Sequence, residues 1–242
     1  MNTATFCKNL IPLDIQTLEL KDFINNHFIL QEIKDIIAPS YEDPSSMLKR
    51  DLSHSNKLYI ARERDGRLIT FLMVGWENVL FKGQNIPTVY IGLSATRQDQ
   101  KNTGIVRYLY KRFLGDAQAW EQVHQQRLLL WYTTATPSAF HVSNLMEESQ
   151  PNIDGSYTEE GKKLILALRD HKKWPAFIEG HPFIVKGIAE KTRYSVLERE
   201  RIKKIEEGKN FTLFTELGID ETQGDRMVCI GRVPSKVPSS KL

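Results

Sequence analysis

The stretch Val89-Tyr90-Ile91-Gly92-Leu93-Ser94-Ala95-Thr96-Arg97-Gln98-Asp99-Gln100-Lys101-Asn102-Thr103-Gly104-Ile105 decides how this chain is read. Thr88 to Ser94 has the β-branched and aromatic content of a strand. Thr96 to Thr103 is a polar loop. Gly104 then opens a long amphipathic helix to about Val123, because Ile105, Leu109, Phe113, Ala117 and Trp120 recur at helical spacing along one stripe. A helix N-terminus presents amide groups with no intrahelical partner and the positive end of the dipole. It therefore suits an anion such as a pyrophosphate. Gly104 lets backbone approach that anion with no Cβ in the way. Lys101, with Arg97 or Arg107, adds positive charge.

Upstream, Leu58 to Arg64 and Leu68 to Trp76 read as strands joined by the turn Asp65-Gly66, and Lys82-Gly83-Gln84-Asn85 reads as a second turn. Strands joined by short turns run antiparallel. Downstream, Arg127 to Thr133 is a buried strand reached through the helix, a crossover that makes it parallel to the strand at 88–94. Thr136-Pro137-Ser138 starts another helix. Residues 13–56 read as helices: Leu18, Phe23, Ile24 and Phe28, then Leu30, Ile33, Ile36 and Ile37, recur at helical spacing, and Asp43-Pro44-Ser45-Ser46 starts a third helix. Further on, Ser156 to Glu160 opens a helix through Leu168, a short strand surrounds Phe183 to Val185, and Tyr194 to Ile205 forms a charged helix. Phe211 to Leu217 and Met227 to Val233 read as a closing pair of strands. The tail after Pro234 is expected to be disordered.

A chain of 242 residues, 40% hydrophobic and 26% charged, is enough for one large globular domain or a domain with an insertion. A formal charge of +3 is too small and too scattered for a nucleic-acid stripe. Cys7 and Cys229 form neither a CxxC nor a zinc spacing, so no metal is expected. Met1 to Leu20 has no continuous apolar core of a secretory signal. The longest apolar stretch, Leu68 to Trp76, is far short of the roughly 20 residues that cross a bilayer. These readings point to a cytoplasmic protein with no membrane span. P-loop, HExxH, GxSxG and EF-hand patterns are absent.

The order hairpin, strand, turn, long helix, strand resembles the core of GNAT-type acyltransferases. Their turn follows [Q/R]-x-x-G-x-[G/A]: here Lys101 stands at the Gln/Arg position, Gly104 matches the first Gly, and Val106 stands at the second Gly/Ala position, where its branched side chain narrows the phosphate cradle. The resemblance covers residues 57–146 and implies an α/β fold with a mixed, mostly antiparallel central sheet flanked by helices. It divides the chain into N-terminal helices (1–56), an acyl-CoA-binding core (57–146), a C-terminal half with a lid or acceptor region (147–234) and a tail (235–242).

The resemblance also implies transfer of an acetyl or longer acyl group from acetyl-CoA or another acyl-CoA to an amine on a small molecule or peptide. Backbone at Leu93, Ser94 and Ala95 would hold the pantetheine, with one N–H polarising the thioester carbonyl. Lys101, Asn102, Thr103, Gly104 and Ile105 would hold the pyrophosphate. For the proton steps, Glu77 is a candidate base at a strand end, and His141 and Tyr132 are candidate acids for the departing thiolate. Each has a structural alternative: a solvated strand-end charge, a half-buried surface histidine and a packed core aromatic. Trp131, Trp174 and Phe183 are candidate lining residues of an acceptor pocket, and His181 in its HPF turn is read as structural. An acyl carrier protein as donor, which suits Val106, and a non-catalytic acyl-CoA-binding or regulatory module are the competing readings.

Overall fold

The computed structural model describes residues 13–101, 103–175, 180–190, 192–209 and 211–236. At its centre lies a long hairpin, β3 (Leu68–Phe81) and β4 (Gln84–Thr96), turned at Lys82-Gly83. β3 is buried without interruption from Leu68 to Gly75, as expected for a strand covered on both faces. β2 (Lys57–Arg62) lies antiparallel to β3, and β1 (Asp14–Glu19) closes that side antiparallel to β2. On the other side α4 (Val106–His124) carries the chain to β5 (Leu129–Thr134), which runs parallel to β4. β8 (Arg226–Arg232) is antiparallel to β5, and its far edge pairs with both β6 (Glu147–Gln150) and β7 (Ile184–Val185). The result is an eight-stranded, mostly antiparallel sheet of order β1-β2-β3-β4-β5-β8-β6, with β7 beside β8. This is the mixed GNAT-like architecture, with the expected hairpin, fourth strand, long helix and parallel fifth strand in that order.

Helices cover both faces. On one, Leu109, Phe113, Leu114 and Ala117 of α4 pack on Tyr59, Leu72, Val74, Val89 and Leu130, joined by α5 (Pro137–Phe140) and α8 (Leu213–Glu216). On the other, α1 (Leu20–Phe23), α2 (His27–Ile37) and α3 (Pro44–Leu52) cover β2 to β4. Beside them α6 (Glu159–Lys172) covers β5, β8 and the far end of β3. Side-chain caps set several starts: Asn26, Asp43, Thr136 and Thr158 each accept an amide from the first turn of α2, α3, α5 and α6. A last helix, α7 (Val196–Lys209), packs on α5.

Three expectations are corrected. Residues 14–19 are a strand; β1 is largely exposed and supplies backbone pairing to the edge of β2 more than core. Phe211 to Leu217 is not a strand but contains α8: Leu213, Phe214 and Leu217 have helical spacing, and both edges of β8 are already taken. Glu77 is not at a strand end, because β3 continues four residues beyond it to Phe81. The described residues contain no helix long and apolar enough to cross a membrane, and no group of three or more His, Cys, Asp or Glu that could hold a metal ion.

Candidate active site

β4 and β5 stay paired over three residue pairs only, Thr88–Leu129, Val89–Leu130 and Tyr90–Trp131. Beyond these β4 runs on to Thr96 beside β3 and β5 to Thr134 beside β8 without pairing to each other, so the sheet splits into a wedge. At the split β4 also bulges. Leu72 faces Ser94 but Val74 faces Ile91, so Gly92 and Leu93 share Met73 as their opposite number. The bulge frees the Leu93 N–H from the ladder, and it donates to a carboxylate oxygen of Asp51 at the end of α3. The other Asp51 oxygen accepts from the Tyr90 hydroxyl at 2.9 Å. Gly92 is required here, because a Cβ would lie 2.6 Å from the Asp51 carboxylate and 2.9 Å from the Tyr90 ring.

Asp51 is wholly buried, which pushes its carboxyl above the usual range, against the opposing pull of Arg50 and of its two hydrogen bonds. Burial and then Asp51 push the Tyr90 phenol well up. A cavity of about 90 Å³ fills the wedge, walled by Tyr90, Leu93 and Ser94 of β4, Tyr132 and Thr133 of β5, and Tyr110 of α4. On the α4 side the Ser94 and Tyr110 hydroxyls lie 3.0 Å apart. On the opposite face a wider cleft of about 710 Å³ runs between α3 and the end of α6. Arg50, Tyr90 and Thr133 line both spaces, so the wedge joins the two faces of the sheet.

The expected ligands of a donor lie as follows. Leu93 and Ser94 line the wedge, and Leu93 and Ala95 pack in the cluster under α1–α3. Gly104 has φ +79, the left-handed turn that starts α4, with the Arg107 side chain alongside it. Ile105, the residue before α4, provides no side-chain cap for the first-turn amides. The Thr103 hydroxyl donates to Gln100 O at 2.7 Å and so closes its own loop. Lys101 is not held ready for an anion: its Nζ lies 3.7 Å from Glu198 of α7. Asn102 lies outside the described residues, as does Cys7.

The proton-transfer candidates separate. Tyr132 lines the wedge, yet its hydroxyl donates to Phe140 O at 2.9 Å and meets Ser143 Oγ at 2.7 Å, tying β5 to the segment after it. Burial, then neighbouring Cys229, pushes its phenol well up. His141 follows α5 with Nδ1 3.5 Å from the Asn144 amide; its neighbours Ala139 and Val142 line the wedge and it does not. Glu77 is ion-paired with Lys172 Nζ at 2.6 Å, has His171 Nε2 3.6 Å away, and lines neither space. Trp131 and Trp174 line the cleft, but Phe183 is fully buried in the core. His181 accepts the Phe183 N–H and meets Gly155 O, bracing its loop.

Sequence reasoning missed Asp51, Tyr90 and Arg50. One signal was available: Gly92, alone inside an apolar strand, marks a bulge or a close approach. A second was Asp51 itself, an acid on the apolar side of a short helix beside Met47 and Leu48.

No family model matches this chain, and no curated protein matches it. Among solved structures it is similar to a probable N-acyltransferase from Enterococcus faecalis, at 17% identity and a TM-score of 0.40, over 57% of this chain and 33% of that one. It is also similar to the GNAT family N-acetyltransferase YhbS from Escherichia coli in complex with CoA (13%, 0.39, 55% of this chain and 67% of that one). A third is the ribosomal-protein-S18-alanine N-acetyltransferase from Escherichia coli (11%, 0.42, 96% and 100%). The chain thus spans about a third of the first of these, and likenesses this distant leave the chemistry to be argued from the wedge and the cleft.

Proposed function

We propose that the protein is an N-acyltransferase that moves an acyl group from a thioester, acetyl-CoA or a longer acyl-CoA, to an amine. The carrying observation is the wedge: a split in the sheet whose small cavity, lined by Tyr110 of α4 and by Arg50 and Asp51 of α3, meets a wider cleft at Arg50, Tyr90 and Thr133. Two substrates entering from opposite faces meet there in a place from which the surrounding tyrosines exclude water. The donor supplies an activated carbonyl: the amine nitrogen bonds to its carbon as the carbon–sulfur bond breaks, the amine loses a proton and the sulfur gains one.

The chain's residues take the other parts. At the start of α4 the Arg107 and Tyr108 amides turn to Gly104 O and Ile105 O, so an anionic donor tail would be held there by the Arg107 side chain beside Gly104 and by the dipole of the helix. Tyr90 faces both spaces and its O–H is directed at Asp51, so a proton leaving the amine at Tyr90 Oη passes on to Asp51 Oδ1. The raised carboxyl of Asp51 suits a proton acceptor better than an ordinary surface carboxylate. The Ser94–Tyr110 hydroxyl pair supplies the proton to the sulfur. Glu77, held by Lys172, and His141, off the wedge lining, stay outside this scheme.

A second reading, a donor carried by an acyl carrier protein, is favoured by the Lys101–Glu198 pair and by Val106, which leave less of the α4 N-terminus for a pyrophosphate. Thermal-shift titration with acetyl-CoA, coenzyme A and a long-chain acyl-CoA, followed by thiol release in the presence of amines, tests both. A ligand that binds only the folded state raises the melting temperature. Stabilisation by an acyl-CoA with amine-dependent thiol release supports the proposal. Stabilisation without release leaves a binding module, and no stabilisation by any of the three removes coenzyme A as the carrier.

A further inference from the structure

We infer that the acceptor amine also carries an oxyanion, a phosphate or a carboxylate, bound in the cleft between α3 and α6. The inference depends on the acyl-transfer reading only for what happens to the amine, not for the anion site itself. Lys49 and Arg50 reach the cleft from α3, and Lys172 and Lys173 from the end of α6. Glu190 is the one carboxylate among the described lining residues. Lys172 is committed to Glu77, and Arg50 gives one Nη to Thr192 Oγ1 at 2.6 Å. The Lys49 and Lys173 side chains make no hydrogen bond or ion pair among the described residues. Burial and then Lys172 push the His54 imidazole down, which leaves it a neutral donor and acceptor in the same wall.

Both helices end at the cleft, and cations there would ordinarily be credited to the helix dipole. The ends are already served. Ser53 N–H binds the carbonyls of Lys49 and Arg50, the Ser53 hydroxyl binds Arg50 O, and His54 N–H binds Asp51 O. Past α6, Trp174 N–H binds Arg169 O and Lys173 N–H binds Asp170 O. The unpaired lysines are therefore surplus to capping. In the same wall Trp131, 2% exposed, keeps a buried Nε1 with no hydrogen-bond partner among the described residues.

The chemistry is consistent with attack by an amine. A cationic wall lowers the pKa of an amine held beside it and so favours its neutral, nucleophilic form. An acceptor that was only a cation would be repelled; one with an oxyanion at its far end is held by that end. A volume of about 710 Å³ is ample for a small molecule of this kind.

The test uses the full chain and two matched pairs, O-phosphoethanolamine against ethanolamine and γ-aminobutyrate against butylamine, with binding measured by calorimetry without donor and turnover measured with acetyl-CoA. We expect the oxyanion-bearing member of at least one pair to bind at least about ten-fold tighter than its match, which is a simple ammonium cation, with the better pair showing whether phosphate or carboxylate is preferred. Its affinity should fall as salt rises from about 50 to about 500 mM. The exposed pair Lys49→Gln with Lys173→Gln should remove the advantage of the oxyanion-bearing member over its cationic match. Equal affinity within both pairs, or an anionic affinity untouched by the double substitution, overturns the inference. Tight anion binding with no turnover counts against the acyl-transfer reading and leaves the anion site standing.

Discussion

α4 lines the wedge through Tyr110, α7 contacts Lys101 and α5, and the two helices are held in place by opposite means. α4 buries Leu109, Phe113, Leu114 and Ala117 almost completely against the sheet. α7 buries Ile202 but leaves Val196 and Leu197 65% and 72% exposed. Its attachments include charged pairs, Glu198 to Lys101 and Arg199 to Glu42 and Glu221. Burial scales with apolar area and is indifferent to salt, whereas exposed ion pairs contribute little and are screened. One helix is thus part of the framework on which the wedge is built. The other contacts Lys101, in the loop after β4, and α5, after β5, and its charged contacts are ones that salt can loosen.

The largest effect expected from this contrast is on α4. Phe113→Ala should destabilise the protein by about 3–5 kcal/mol through lost burial and the cavity left behind, read from the urea midpoint. Arg199→Ala in α7 should change the same midpoint by less than about 1 kcal/mol while raising amide exchange within α7. Similar losses for the two would erase the distinction.

Asp51→Ala comes next, at about 2–5 kcal/mol, because it strands the Leu93 N–H and the Tyr90 O–H in the interior. Asp51→Asn keeps an acceptor and isolates the charge. With its folded pKa above the unfolded value, the aspartate binds its proton more tightly in the native state. Its contribution is fully present below the unfolded pKa near 3.9 and is lost as pH rises through the folded pKa. Asp51→Asn should therefore gain on the wild type as pH rises from about 4 toward 7, and parallel stability curves would show that the carboxyl does not titrate in that range. If the proton relay holds, the same variant loses turnover more than it loses donor affinity.

The framework was legible in the sequence because local signals and tertiary roles agree there. The apolar stripe Ile105 to Trp120 sits in or beside α4, the Asp65-Gly66 and Lys82-Gly83 turns sit between paired strands, and the helical crossover makes β4 and β5 parallel. Residues 14–19 and 211–217 misled, since a strand that offers mainly backbone pairing and a one-turn helix fitted under Phe140 carry weak patterns of their own. The wedge chemistry was hidden for a different reason. Asp51, Tyr90 and Leu93 are 39 and 42 residues apart in the pairs that bind, and no spacing rule joins them. Gly104 and Ser94 were readable as part of a strand–turn–helix unit; the partner that engages Lys101 comes from α7, almost a hundred residues later.

The smallest effect, and the one that bears most directly on α7, concerns Glu198. It is nearly buried, and although burial alone would raise its carboxyl, the Arg201 hydrogen bond and charge, with Lys101, hold it below the usual range. It is therefore ionised at neutral pH and competes with any anion for Lys101. Glu198→Gln keeps the shape, weakens that competition and should tighten acetyl-CoA binding by roughly three- to ten-fold, the scale of a partly buried ion pair released. The gain should shrink as salt rises, because salt loosens the same pair in the wild type. Unchanged affinity would mean that Lys101 takes no part in donor binding. Weaker affinity would mean that Glu198 holds Lys101 in place for the donor, and α7 would then belong with α4 as part of the site.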